Sequence, residues 1–566
     1  MKSRIITTIL ASLAITMIGI TQGFAQTNLG AECGCPPIGS RTTVTIVSLG
    51  LNANNELLAN QTLTCDKIYT LDRKIYVPNG VTLTVNPGTV IEGIYNATPA
   101  NAAALIIERG GKIIADGTEA CPIVMTSTDD PMDGTYSITN VGRWGGLVLL
   151  GTATNNLIDG NTLCVNHTPG LGYIEGFTAG IGLNDFGYGD ATFPTANDND
   201  NSGILRYVSI RHAGALIVAG NELNGLSLGS VGRGTTIEHL ELVSAADDNI
   251  EFFGGTVNVK YITTLFGDDD MFDWDLGWTG KGQFLFGIAG DSLTGLHSTD
   301  NGYEADADDQ SKASFPRSHP VIYNSTLISN GHIFPTADNS GPAAIMAKEM
   351  TQGEIYNSIF ANFRSGLHLA TARSNATAKG DAYDNWTDAS NSYNNGSGNA
   401  VYHSLKIKNN TFIGFGSVPT KAFYITLGAL TQGGTPKLYK PATAASAADI
   451  TQFTTTDNNS VVASVPGIDY NWGWNTAAHL SYSSNPFHMT PLTNIAATTT
   501  PPADGFFSAV DYRGAFDANK GSWLSDWALM QIQTNQGSNP TDLDNDGDTD
   551  IDDFSIFISR FGQPNR

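Results

Sequence analysis

The sequence predicts an all-β chain wound as a parallel β-helix, and three observations carry that prediction. Short β-branched segments follow one another, each closed by Gly, Asn or Asp, with no 3.6-residue apolar period among them. Strand-like segments recur at a step of 22 residues, from Ile237 to Val259 and again from Ile262 to Phe284. Glycine is abundant, 62 in 566 residues, while charged residues make up only 15%, against about 25% in typical soluble domains. The missing amphipathic helices argue against βαβ units, helical bundles and coiled coils.

Residues 1–25 read as an export leader. Lys2 and Arg4 form a basic start, 5–20 is mostly apolar, and Gly23 and Ala25 are small residues ahead of Gln26. The apolar run is short for a bilayer span. No cysteine follows it directly, so no lipid anchor is expected there. The expected location is extracellular or at the outer cell surface. Asp and Glu number 54 against 29 Lys and Arg, a net charge of −25, and loss of the leader removes two more cations. Such a surface repels nucleic acid and anionic membranes. Cys33, Cys35, Cys65, Cys121 and Cys164 all lie in the first third of the chain. An exported chain can oxidise them. Their pairing is open, and the odd count leaves at least one without a partner in the chain. Cys33-Gly34-Cys35 lacks a second Cys or His pair at zinc spacing.

Residues 26–66 form an N-terminal segment and cap, and 67–416 carry the β-helix. Strand-like pieces lie at 75–85, 89–91, 104–107, 110–115, 123–126, 205–210, 237–242, 259–265 and 284–288. A later register repeats at 322–328, 355–360 and 407–413, where Asn324, Asn357 and Asn410 are read as one stacked turn position. No coil buries its apolar face alone, so coils stack at roughly 4.8 Å and share one core. Residues 374–399 and 433–466 read as loops. Residues 417–530 read as an irregular end, with 506–530, including Trp523 and Trp527, capping the helix. Residues 536–566 form a separate small module.

That module holds the most specific motif. Asp542, Asp544, Asp546, Asp550 and Asp553 fall at places one, three, five, nine and twelve of a loop with Gly547 at place six. This is EF-hand calcium spacing, and Asp548 would contribute its backbone carbonyl. Phe554, Phe557, Ile558 and Phe561 then recur on one helix face that Gly562 ends. The loop resembles dockerin-type loops, though a second loop is missing.

Asn224-Gly225-Leu226-Ser227-Leu228, Asp247-Asp248-Asn249-Ile250-Glu251-Phe252-Phe253, Gly267-Asp268-Asp269-Asp270 and Asp273-Trp274-Asp275-Leu276-Gly277-Trp278 form a recognisable block. With Arg143-Trp144-Gly145-Gly146 and Tyr512-Arg513-Gly514, it resembles a secreted β-helix family of Bacteroidota and marine bacteria, related to a leptospiral outer-membrane lipoprotein. The resemblance covers about 60–530 and implies a right-handed, pectate-lyase-like β-helix at or beyond the cell surface. It implies no activity.

The block also holds an acidic ladder. Asp247 and Asp248 lie 21 residues before Asp268 and Asp269, which would stack them on adjacent coils. Asp270, Asp273, Asp275 and Glu251 lie close by in sequence, and Glu304, Asp306, Asp308 and Asp309 extend the series. The ladder is read as polar turns on a solvent edge, whose stacked charge calcium could neutralise, with Asp247, Asp248, Asp268 and Asp269 as candidate catalytic carboxylates. Arg211, Arg233, Lys260 and Lys281 are unplaced candidate bases, and Trp274, Trp278, Trp472 and Trp474 are candidate sugar platforms. Three functions stay open. They are a non-catalytic binder of glycan or surface polymer (an adhesin or matrix component), a polysaccharide lyase or glycoside hydrolase, and a structural spacer.

Overall fold

The computed structural model describes residues 29–529, apart from segments of which the longest are 160–167, 175–186, 291–298, 330–341, most of 372–399, 415–422, 428–446 and 469–490. The leader, Cys164, Asp308, Asp309, Trp472, Trp474, and the calcium-type loop with its helix lie outside the described residues.

Parallel coils surround one interior, and each coil adds a strand to three columns. Column one runs from Gln61–Leu63, Thr82–Val85 and Lys112–Asp116 to Val321–Tyr323, Gly353–Tyr356 and Leu405–Lys408. Column two runs from Thr42–Thr45, Lys67–Leu71 and Val90–Gly93 to Thr326–Ile328, Ile359–Ala361, Thr411–Ile413 and Ser460–Val462. Between these groups, Gly203–Arg211, Thr236–Val243, Asn258–Leu265 and Lys281–Ile288 each serve both columns. Among the described residues column three holds ten strands, including Leu226–Gly229, Ile250–Phe253, Phe272–Asp275, Tyr303–Ala305 and Ala343–Ala347. Alternation turns Leu205, Ile237, Ile210, Leu242, Leu226 and Ile250 into the shared core. Each such buried side chain contributes about 1.5–3 kcal/mol.

The corner between columns one and two is one left-handed residue per coil: Tyr207, His239, Tyr261, Phe284, then Asn324, Asn357 and Asn409. Positive φ is costly for bulky residues. The coil spacing offsets this by stacking the rings, with centroids 4.4, 4.5 and 4.9 Å apart along Tyr207, His239, Tyr261 and Phe284. Two sequence expectations are corrected here. Ile262 pairs with Leu285, so the second step is one residue longer than expected, and Phe284 occupies the corner. The third corner asparagine is Asn409. Asn410 sits one place on, where its Oδ1 accepts the Ser358 N–H at 2.8 Å and its amide donates to Ile355 O at 3.0 Å.

Two of the three outer faces are covered by the chain itself. Column three's Val148, Leu150 and Phe253 pack under Leu157, Ile174, Tyr188 and Leu223 from inserted segments. Column two's Val243, Leu265, Ile288 and Ile328 pack under Ala515, Phe516, Leu524, Trp527 and Leu529. The segment expected to cap the end is therefore part of a lateral strap, residues 491–529. Corner asparagines hold it: Asn357 Nδ2 donates to Thr499 O at 2.6 Å and Asn324 Nδ2 to Tyr512 O at 2.7 Å. Further along, Gln283 Nε2 donates to Ser508 O at 2.8 Å, and Leu529 N–H donates to Glu241 Oε2 at 3.0 Å. The expected loop at 433–466 is also corrected in its described part, which contains the helix Ala447–Thr451 and the strand Ser460–Val462. At the other end, disulfides Cys33–Cys121 and Cys35–Cys65 staple the N-terminal segment to the first coils. No helix among the described residues is long and apolar enough to cross a membrane.

Candidate functional site

Strand alternation builds the acidic ladder. Phe252, Trp274 and Ala305 point into the core, so Glu251, Asp273 and Glu304, in register on three successive coils, line the opposite face of column three. Three residues earlier in each coil, Asn224, Asp248, Asp270 and Asn301 share one turn position. There Asp248 Oδ1 accepts the Asp270 N–H at 2.8 Å, Asp270 Oδ1 accepts the Asn301 N–H at 2.5 Å, and Asn301 Oδ1 accepts the Ala343 N–H at 3.1 Å. Asp248, Asp270 and Asn301 thus each bind the backbone of the next coil, while Asn224 turns its amide to Glu251 Oε2.

Three overlapping triads result: Asp247, Asp248 and Asp269; Asp248, Glu251 and Asp273; and Asp270, Asp273 and Glu304. Within each, one ligand oxygen per residue lies within 4.8 Å of the others. Lys348 Nζ closes the far end, 2.6 Å from Glu304 and 3.9 Å from Asp306. Burial, reinforced by the surrounding carboxylates, pushes Asp248, Asp270 and Asp273 well above the ordinary carboxylate range. Burial alone would lower Lys348, but Glu304, Asp306 and Asp273 hold it well above its ordinary value.

The structure brings Asp247, Asp248 and Asp269 together and leaves Asp268 outside the triads, with its N–H on Ala245 O at 3.0 Å. The column-three register step is 22 residues rather than 21, so Asp248 meets Asp270. The extension through Glu304 and Asp306 holds. Asp275 lies further along its strand, accepting the Leu276 N–H. Lys348 and Asn224 were missed as members, because only the strand register brings them to the ladder. The four candidate bases go elsewhere. Arg211 donates to Ser209 Oγ at 2.8 Å, Arg233 pairs with Asp198, Lys260 lies against Ser508 of the strap, and Lys281 pairs with Asp504. Trp274 and Trp278 are buried and pack against Phe252 and each other, so neither is a sugar platform.

The outer face of column one is polar and partly exposed. Asp116, Arg206, Glu238 and Lys260 form one file across it in register, alternating in sign. Arg206 lies 2.6 Å from both Asp116 and Glu238.

No curated protein matches the chain. Among solved structures it is similar to the crystal structure of Escherichia coli YbhC at 9% identity, over 52% of this chain and 64% of that one, with a TM-score of 0.21. Residues 55–412 match the pectate-lyase-like β-helix domain, and the chain belongs to that family.

Proposed function

We propose that this is an exported, non-catalytic β-helix protein that binds a glycan or cell-surface polymer along the outer face of column one, as an adhesin or matrix component. One observation carries the reading. Of the three outer faces, two carry apolar side chains packed under the chain's own segments, while column one presents the polar file Asp116–Arg206–Glu238, which ends where the strap takes up Lys260. Alternating donors and acceptors spaced at the coil repeat suit a polymer of repeating hydroxyl groups. The pectate-lyase-like family supports a glycan as the polymer. The C-terminal loop of Asp542, Asp544, Asp546, Asp548, Asp550 and Asp553 is proposed to hold calcium, which would order the helix behind it.

A second reading, a polysaccharide lyase or hydrolase at the acidic ladder, is favoured by its proton-holding carboxyls. Against it, Asp248 and Asp270 each commit an oxygen to the neighbouring coil's backbone. One panel of neutral and acidic polysaccharides, with and without calcium, separates the readings. Retention that falls in Arg206→Ala with Glu238→Ala, without new reducing ends or unsaturated products, supports binding. Products that vanish in Asp248→Asn or Asp269→Asn establish the enzyme. Neither signal leaves the structural spacer.

A further inference from the structure

We propose that Asp248, Glu251 and Asp273, together with the side-chain carbonyl of Asn224, hold a calcium ion within the body of the β-helix. The site is separate from the C-terminal loop and does not depend on glycan binding. The three carboxylates offer oxygens within 4.8 Å of one another. Like charges at that spacing repel unless a cation or protons intervene.

The second observation is a pair of buried oxygens with no hydrogen-bond donor, Asn224 Oδ1 and Asp273 Oδ1. Asn224 is 2% exposed. Its amide nitrogen lies 2.5 Å from Glu251 Oε2 and 3.4 Å from Ser227 Oγ, so the side chain is held against the triad. A buried carbonyl oxygen without a donor costs about 1–3 kcal/mol in a protein interior. A cation would satisfy it together with the carboxylates.

The protein's own positive charge, Lys348, meets Glu304 and Asp306 at one end of the ladder and reaches Asp273 from that side. Around Asp248 the dominant charges are all negative, from Asp273, Asp247, Asp269 and Glu251. The ligand atoms are hard oxygens, three of them on carboxylates. Calcium takes six to eight such ligands in flexible geometry, whereas magnesium demands a near-ideal octahedron and keeps several waters. Set into the β-helix frame on neighbouring coils, the triad suits the less demanding ion.

The test uses the full mature chain carrying Asp542→Ala with Asp546→Ala, so that the C-terminal loop contributes nothing. After chelator treatment, calcium chloride is titrated by calorimetry, bound metal is counted by atomic emission, and melting is followed in parallel. The expected result is tightly bound calcium with a melting temperature raised by several degrees. Asp273→Asn should abolish both effects, and Glu251→Gln should weaken binding about tenfold or more. In chelator, Asp273→Asn should melt no lower than its parent, because it removes a buried like charge, and this separates a lost ligand from a lost fold. Absence of bound calcium in the loop-disabled chain overturns the proposal. So does calcium retained undiminished in both Asp273→Asn and Glu251→Gln, or an equal response to magnesium.

Discussion

Asp248 and Asp270 occupy the same turn position on neighbouring coils, and the carboxylate of the first accepts the backbone N–H of the second at 2.8 Å. Asp270 repeats the contact toward Asn301, and Asn301 toward Ala343. The acids therefore do two jobs at once: they fasten coils together and concentrate negative charge. Substitutions can separate the two.

Asp270→Asn keeps an oxygen for the Asn301 N–H and removes a buried charge. Asp270→Ala removes the acceptor and strands that N–H in the interior. Urea denaturation in chelator should show the alanine variant less stable than the asparagine variant by about 1–3 kcal/mol. Equal stabilities would mean that the contact contributes nothing.

The ladder also sets a pH dependence. Asp270 and Asp273 have folded values well above the ordinary 3.8. An acid whose pKa is raised by folding favours the native state most below its unfolded value, and that contribution is lost as pH rises through the folded value. In chelator, stability should fall from about pH 4 upward on this account. Asp273→Asn should flatten the profile. A profile that is no flatter in the variant would refute the assignment.

The aromatic corner responds in the opposite direction. His239 stacks between Tyr207 and Tyr261 beneath Trp523 and Trp527, and burial lowers it from 6.5 to about 4 despite Glu238 nearby, with Arg206 and Lys260 pulling the same way. Its folded value is depressed, so its contribution is present above pH 6.5 and is lost as pH falls toward 4, up to about 3 kcal/mol. His212, also held near 4, titrates in the same window. Tryptophan fluorescence reports the strap in particular. Acidification should expose Trp523 and Trp527, and His239→Phe should suppress that change.

The disulfides close loops with sequence separations of 88 and 30 residues. Chain-entropy arguments assign about 4.6 kcal/mol to the longer and about 3.6 kcal/mol to the shorter. Cys121→Ser should therefore lower stability more than Cys65→Ser. The reverse order in denaturant titrations would show that local packing outweighs loop length.

The parallel coils, the strand segments and the density of acids were legible in the sequence because each rests on local period and residue type. The register was legible only to within one residue. Asn409 and Asn410 are chemically alike, and only the φ of 59° at Asn409 tells which one turns the corner. The same slip paired Asp248 with Asp269 rather than Asp270. Lys348 was out of reach, since a strand 42 residues on brings it to the ladder, and Asn224 because its step to Asp248 is 24 residues rather than 22. The strap read as an end cap because the aromatic content of 506–530 predicts burial but not the surface it covers.

Stacked-coil proteins otherwise behave as one-dimensional arrays, in which end units can fray without disturbing the middle. Here a single segment touches Asn458 near one end and Glu241 many coils away. Loosening a terminal coil must disturb contacts far along the rod, which links the coils into one melting unit. A pull applied through the chain beyond residue 529 would meet the strap first, loading its contacts in sequence before the columns themselves bear tension.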